Sequence, residues 1–273
     1  MKSLENVSET LWIPLFGKAI ESKRTDSYIQ DTKAVEIASK ACEHLPELTK
    51  WWSILSKETE ALMIWRTETL DRMVGKFIQD HPRATIVNLG AGLCTRFSRL
   101  DNGKISWLEF DLPDVKEVWM FFNQETARHQ YYTISIFEDE WVNLIKARAD
   151  GPVMFIAEGL LMYFSKDVVA GLLRKLSHHF PESELVAEIY SKIALMRSHA
   201  DVKQTSAGRF ESPWGVQNGK SFEKWGVGVV HLEDDYVSQH KKAMSRMPNF
   251  HRLVGKLPFL NKIGKMVHLR FEP

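Results

Sequence analysis

The sequence predicts an α/β fold built on a mainly parallel sheet covered by helices on both faces. Three observations carry this. Strand-like and helix-like stretches alternate from about residue 84 to residue 190. Two of the strand-like runs, 84–89 and 152–157, are short and mostly apolar, as strands buried on both faces are. The first of them ends in a glycine turn, Gly90-Ala91-Gly92, and the first strand-to-helix turn of an open sheet forms one wall of its ligand crevice.

Composition narrows the classes. The 273 residues, 44% apolar and 26% charged, are ordinary for a water-soluble globular chain long enough to bury a core without staples. The net charge of +1 and the lack of a basic stripe interleaved with aromatics argue against a nucleic-acid partner. Cys42 and Cys94 are too few for a disulfide framework and suit a reducing compartment. The N-terminal stretch carries Glu5 and Glu9 and lacks the basic-then-apolar pattern of a secretory signal, and no window approaches a membrane span. The expectation is a cytoplasmic protein with no membrane partner.

Residues 1–80 read as a helical preamble. Ala34, Val35, Ile37, Ala38 and Ala41 recur at helical spacing, and residues 56–78 repeat the pattern more strongly. Within the preamble, Ile13-Pro14-Leu15-Phe16-Gly17-Lys18 reads as a loop because of its proline and glycine. His81-Pro82 closes it, since a residue before proline is pushed out of the helical region. Strands are then expected at 84–89, 104–110, 130–136, 152–157 and 185–190. Helices are expected from Pro113 or Asp114 to about Arg128, over 138–147, and after a cap at Ser165. His178-His179 ends that last helix. The rhythm breaks after about residue 191, where the polar, glycine-bearing stretch 199–224 looks like a lid. Strand-like runs at 226–232 and 265–271, with a helical 235–247 between them, predict a hairpin-like antiparallel edge.

The glycine turn discriminates among nucleoside ligands. A dinucleotide site wants a third glycine three residues after Gly92, where close helix packing holds a pyrophosphate, and that position is Thr95. Twenty-one residues after Gly90, the second strand delivers Asp111, about where such sheets place an acid on a ribose. A ribose without phosphates fits this turn, so S-adenosylmethionine suits it better than NAD.

Several stretches together resemble the leucine carboxyl methyltransferase superfamily, in particular its bacterial branch of polyketide-type O-methyltransferases. They are Ile13 to Ala19, Asp26 to Ala34, Arg66-Thr67-Glu68-Thr69-Leu70-Asp71, the glycine turn with Thr95-Arg96, Glu109-Phe110-Asp111-Leu112-Pro113, Ala157-Glu158-Gly159-Leu160-Leu161-Met162-Tyr163, and Trp214-Gly215. The resemblance implies a Rossmann-like class I methyltransferase fold with a seven-stranded sheet. It further implies one domain over 1–273: a helical cap at 1–80, a cofactor-binding core at 84–190, a lid at 199–224 and terminal strands at 225–273.

Roles follow from the same resemblance. Gly90, Ala91 and Gly92 would pass the cofactor's methionine portion, and Asp111 would accept from both ribose hydroxyls. Glu109 shares its strand face and is the alternative acid. Arg66 would clamp the cofactor's carboxylate, a task suited to a planar bidentate donor, with Lys18 assisting; otherwise it pairs with Glu60 or Glu68 on a surface helix. Glu158 would hold the ammonium group. Tyr163 would touch the acceptor, or else serve as a rim or core tyrosine. Trp214 would either close over the acceptor or plug the excursion onto the sheet.

Two departures stand out. Relatives commonly have an acid where this chain has Cys94, which reads as a small buried residue rather than a reactive thiol. After the third strand, Ser135, Ile136 and Phe137 replace an Asp-Leu-Arg run, so Ser135 would accept from the adenine amino group more weakly than an acid, while Ile136 keeps its backbone groups and some apolar wall. Phe137 replaces the arginine that grips a substrate carboxylate in the protein-methylating branch. The expected function is therefore O-methylation of a carboxyl or phenolic hydroxyl on a small, apolar or aromatic metabolite. A protein C-terminal carboxyl methyltransferase and a non-catalytic cofactor-binding regulator are the alternatives. No histidine shows metal-ligand spacing.

Overall fold

The computed structural model describes residues 11–136, 138–190, 214–249 and 264–273. Its centre is a seven-stranded sheet in the order β3-β2-β1-β4-β5-β7-β6. The strands are β1 (Thr85–Leu89), β2 (Ser106–Phe110), β3 (His129–Tyr132), β4 (Val153–Ala157), β5 (Glu184–Tyr190), β6 (Val229–Tyr236) and β7 (Gly264–Phe271). The first five run parallel, and β7 runs antiparallel to both β5 and β6. The expected antiparallel edge is present, with the last strand inserted inside it rather than appended to it.

Alternation along β1 feeds two cores, as period-two side chains must. Val87 and Leu89 pack with Trp141, Val142 and Ile145 of one helix (α6, Glu140–Arg148) and with Val169, Leu173 and Leu176 of another (α7, Lys166–His179). Ile86 points the other way, toward Met73, Val74 and Phe77 of the long helix α3 (Lys57–Asp80). α1 (Trp12–Ser22) and α2 (Thr32–His44) form a third apolar cluster with α5 (Pro113–Phe122). A short helix, α4 (Arg96–Leu100), follows the glycine turn, and α8 (Lys241–Arg246) follows β6. Side-chain caps fix the starts of four of the described helices: Asp31 accepts from the N–H of Ala34, Ser56 from Thr59, Ser165 from Val168, and His240 from Ala243.

Four expectations are corrected. Ile13 to Lys18 lies inside α1, because Pro14 falls in the first turn, where its missing N–H would have had no intrahelical partner. β3 stops at Tyr132 instead of 136, and α5 stops at Phe122 instead of 128, where Asn123 is extended and its side chain bonds back to the Trp119 carbonyl. β6 runs on to Tyr236, so the expected helix at 235–247 shrinks to a tight turn and α8. Of the expected lid, 199–213 lies outside the described residues. From Trp214 onward the chain is fastened to the sheet: the indole donates to the Phe164 carbonyl at 2.7 Å and packs on Phe222 and Trp225.

Candidate active site

A cavity of about 580 Å³ opens where β1, β2 and β4 end. Gly90 and Gly92 form its floor at φ +64° and +56°. A side chain at 90 would also meet Leu160, whose Cδ1 stands 2.7 Å from the position of a Cβ there, so the left-handed turn and the space both demand glycine. Asp111 stands beside the turn. Its Oδ2 accepts from the Gly92 N–H and its Oδ1 from the Leu112 N–H, both at 2.7 Å. Burial pushes this carboxyl up, opposed by those two N–H groups.

Arg66, Lys18, Glu158, Asn88 and Cys94 line the polar side of the cavity. Arg66 is not the surface residue of the alternative reading: it is 8% exposed, and its Nη2 faces Glu158 Oε1 at 3.3 Å and Glu188 Oε2 at 3.1 Å. Glu60 and Glu68 have other partners, Lys57 and Lys242. Burial would lower the Arg66 pKa, but the two carboxylates outweigh it and hold it up. Glu158 also accepts from Arg96 Nη2 at 2.9 Å. Against the opposing cost of burial, Arg96, Arg66 and Lys18 bring the Glu158 carboxyl down to about 2. Lys18, 5% exposed, has no hydrogen bond or ion pair to its ammonium among the described residues. Tyr163 lines the cavity from a turn after β4.

Three predicted residues lie elsewhere. Glu109 is sealed in the interior, where its carboxylate accepts from Asn88 Nδ2 and Trp107 Nε1, each at 2.8 Å, and stands 3.2 Å from His129 Nε2. It lies deeper in the sheet than Asp111, which occupies the strand end. Because β3 ends early, Ser135 falls in an exposed turn, and Ile136 packs into the core with its carbonyl accepting from Trp141. None of the three lines the cavity. Phe137 lies outside the described residues.

Sequence reasoning missed the frame behind the cavity. Arg96 Nε bonds Asp71 at 2.8 Å, and Arg99 bonds the same carboxylate at 2.6 and 3.0 Å. Arg99 also pairs with Asp31, which accepts from Thr95 Oγ1 at 2.5 Å. On the other side of Arg66, Glu188 accepts from Tyr190 Oη at 2.6 Å. The available signal was Glu188 itself, a carboxylate in the apolar run Leu185-Val186-Ala187-Glu188-Ile189, which burial obliges to find a cation. Cys94 sits 3.3 Å from Arg96 Nη1, and burial pushes its thiol up despite that charge. Cys94 is half-buried at the cavity wall rather than sealed in the core, and its raised thiol argues against a thiolate.

Comparison with known proteins identifies the family. The family described as leucine carboxyl methyltransferase matches residues 13–177. The chain is 24% identical over 234 residues to the tetracenomycin polyketide synthesis O-methyltransferase of Streptomyces glaucescens, covering 84% of this chain and 83% of that protein. It is 27% identical over 197 residues to an S-adenosyl-L-methionine-dependent methyltransferase of Gibberella zeae, covering 68% and 66%. Among solved structures, the N-methyltransferase NodS of Bradyrhizobium japonicum bound to S-adenosyl-L-homocysteine superposes with a TM-score of 0.46 at 8% identity, covering 76% of this chain and 87% of that one. The family match spans more than half of the sequence, and the chain belongs to the leucine carboxyl methyltransferase family of S-adenosylmethionine-dependent methyltransferases.

Proposed function

We propose that this methyltransferase acts on an oxygen, a carboxylate or a phenolic hydroxyl, of a small apolar or aromatic molecule. The observation that supports the reading most is the two-sided cavity. Lys18, Arg66, Glu158 and Asp111 gather on one side, whereas Leu11, Ile13, Leu15, Leu160, Met162 and Tyr163 supply an apolar remainder. The name of the Streptomyces relative, an O-methyltransferase of polyketide synthesis, supports the same class of acceptor.

The residues present fit the family's cofactor. The glycine turn admits close backbone approach, Asp111 is held by backbone donors at a strand end, and Lys18 and Arg66 leave donors for a carboxylate. Bound there, S-adenosylmethionine supplies a methyl group already activated on a sulfonium. The protein's task is then to bind and orient. Asp111 receives the ribose hydroxyls, Arg66 and Lys18 the carboxylate, and Glu158 the ammonium. Gly90, Ala91 and Gly92 let the methionine portion pass. Glu109, Ser135 and Ile136 drop out of the set. Tyr163 orients the acceptor from the apolar side. Orientation of this kind supplies ~7–11 kcal/mol in well-aligned systems.

Isotope-labelled cofactor incubated separately with phenols, aromatic carboxylic acids and peptides ending in a free carboxylate tests the reading. Labelled methyl ether or ester on the small molecules is expected. Transfer to the peptides alone, or to nitrogen, would sink it.

A further inference from the structure

Arg66 spends its contacts unevenly. Among the described residues, its Nη2 faces two carboxylates, its Nη1 meets only the sulfur of Met63 at 3.9 Å, and its buried Nε has no acceptor. The two carboxylates differ in kind. Glu158 lines the cavity and is also tied to Arg96, so an incoming cation can compete for it. Glu188 is fully buried behind the cavity wall, and its other oxygen is held by the Tyr190 hydroxyl. A ligand entering the cavity therefore meets Glu158 but not Glu188.

We propose that Glu188 is a positioning residue for the cofactor's carboxylate: it pins the Nη2 corner of Arg66, so that the donors Arg66 has left over are turned to the bound ligand. Tyr190 fixes the anchor in turn, by holding the glutamate in the rotamer that faces Arg66. Gly159 completes the device, because a Cβ there would stand 2.8 Å from Nη2 and displace the corner being held. A fixed guanidinium loses less freedom when it binds a carboxylate, which is where preorganisation raises affinity. The inference rests on the reading that Arg66 receives the carboxylate, and the experiment separates the two.

Calorimetry on the full chain would use two probes, S-adenosylhomocysteine and methylthioadenosine, which shares the adenosine and thioether but lacks the amino-acid end. E188Q preserves size while removing the charge, and its binding to S-adenosylhomocysteine is expected to fall roughly tenfold, the scale of one charge-assisted contact. Its affinity for methylthioadenosine should stay within about twofold, as expected where the removed contact acts only on the amino-acid end. Y190F should show a smaller loss of the same pattern, and it carries the test if E188Q fails to fold. Added to R66A, E188Q should cost nothing further. Equal losses for both probes would make Glu188 a mere fold support and overturn the proposal. So would an unchanged affinity for S-adenosylhomocysteine in E188Q while R66A weakens it. If R66A itself spares that ligand, the carboxylate reading of Arg66 falls and Glu188's role falls with it.

Discussion

Asp111 owes its readiness to two backbone N–H groups, one from the glycine turn and one from Leu112. They hold both oxygens in place before any ligand arrives. Asp111→Ala is expected to weaken cofactor binding by about 1–3 kcal/mol, the usual cost of a lost charge-assisted hydrogen bond. Calorimetry checks this, and unchanged affinity with an intact fold would remove Asp111 from the ribose. Gly159 makes a different demand. Its φ is +63°, and the Arg66 atom that an added methyl would strike is pinned by two carboxylates and cannot swing aside cheaply. Gly159→Ala should therefore destabilise the fold by about 1–3 kcal/mol. It should also weaken S-adenosylhomocysteine more than methylthioadenosine. Denaturant midpoints and the same calorimetry would show it; a variant as stable as the parent would contradict the geometry.

At the scale of elements, the sequence carried the parallel core well, because β1 and β4 are apolar on both faces and nothing in their setting competes with that pattern. Boundaries were less legible. The loop expected over 13–18 is helix instead, because Pro14 sits in a first turn and Gly17 lies where a Cβ would meet Met63 at 2.4 Å. The cavity-lining residues near the glycine turn were legible from their positions at strand ends. The arginine–carboxylate frame was not: Arg66 on α3, Arg96 on α4, Glu158 after β4 and Glu188 on β5 are brought together only by strand order. Asp31 belongs to that frame and also caps α2. Asp31→Ala removes the cap and a buried partner of Arg99, so a loss of about 2–4 kcal/mol is expected, read from the urea midpoint. A loss no larger than about 0.5 kcal/mol, the low end for a cap alone, would show that Arg99 does not depend on it.

Across the whole molecule, Asp31, Arg99, Asp71, Arg96, Glu158, Arg66 and Glu188 form one continuous chain of alternating charge from α2 to β5. Glu158 gives it a pH signature. Its pKa falls from an ordinary 4.5 to about 2 on folding, so its contribution is fully present above 4.5 and is lost as pH drops toward 2. Burial raises Glu188 and Asp111, which act in the opposite sense: protonation at mild acidity relieves their cost. Thermal melts should thus hold up in mild acid and fall steeply below pH 4.5. Glu158→Gln should lower the melting temperature near neutrality and flatten that fall; an equally steep acid limb in the variant would locate the effect elsewhere.

The sheet order also sets a timetable. β6 has its ladder partner in β7, and β7 is the strand that joins β6 to the parallel core through β5. The ribosome makes β6 first, so for the time it takes to synthesise the intervening residues that strand has no neighbour to bond. The strands β1 to β5 precede this edge in the chain, whereas this end of the sheet closes only when β7 pairs with β5 and brings β6 with it. Late pairing of an internal strand is the step at which such a sheet is most exposed to wrong pairing, and the acidic run Glu233-Asp234-Asp235 puts charge on both faces of β6, which disfavours pairing with another chain.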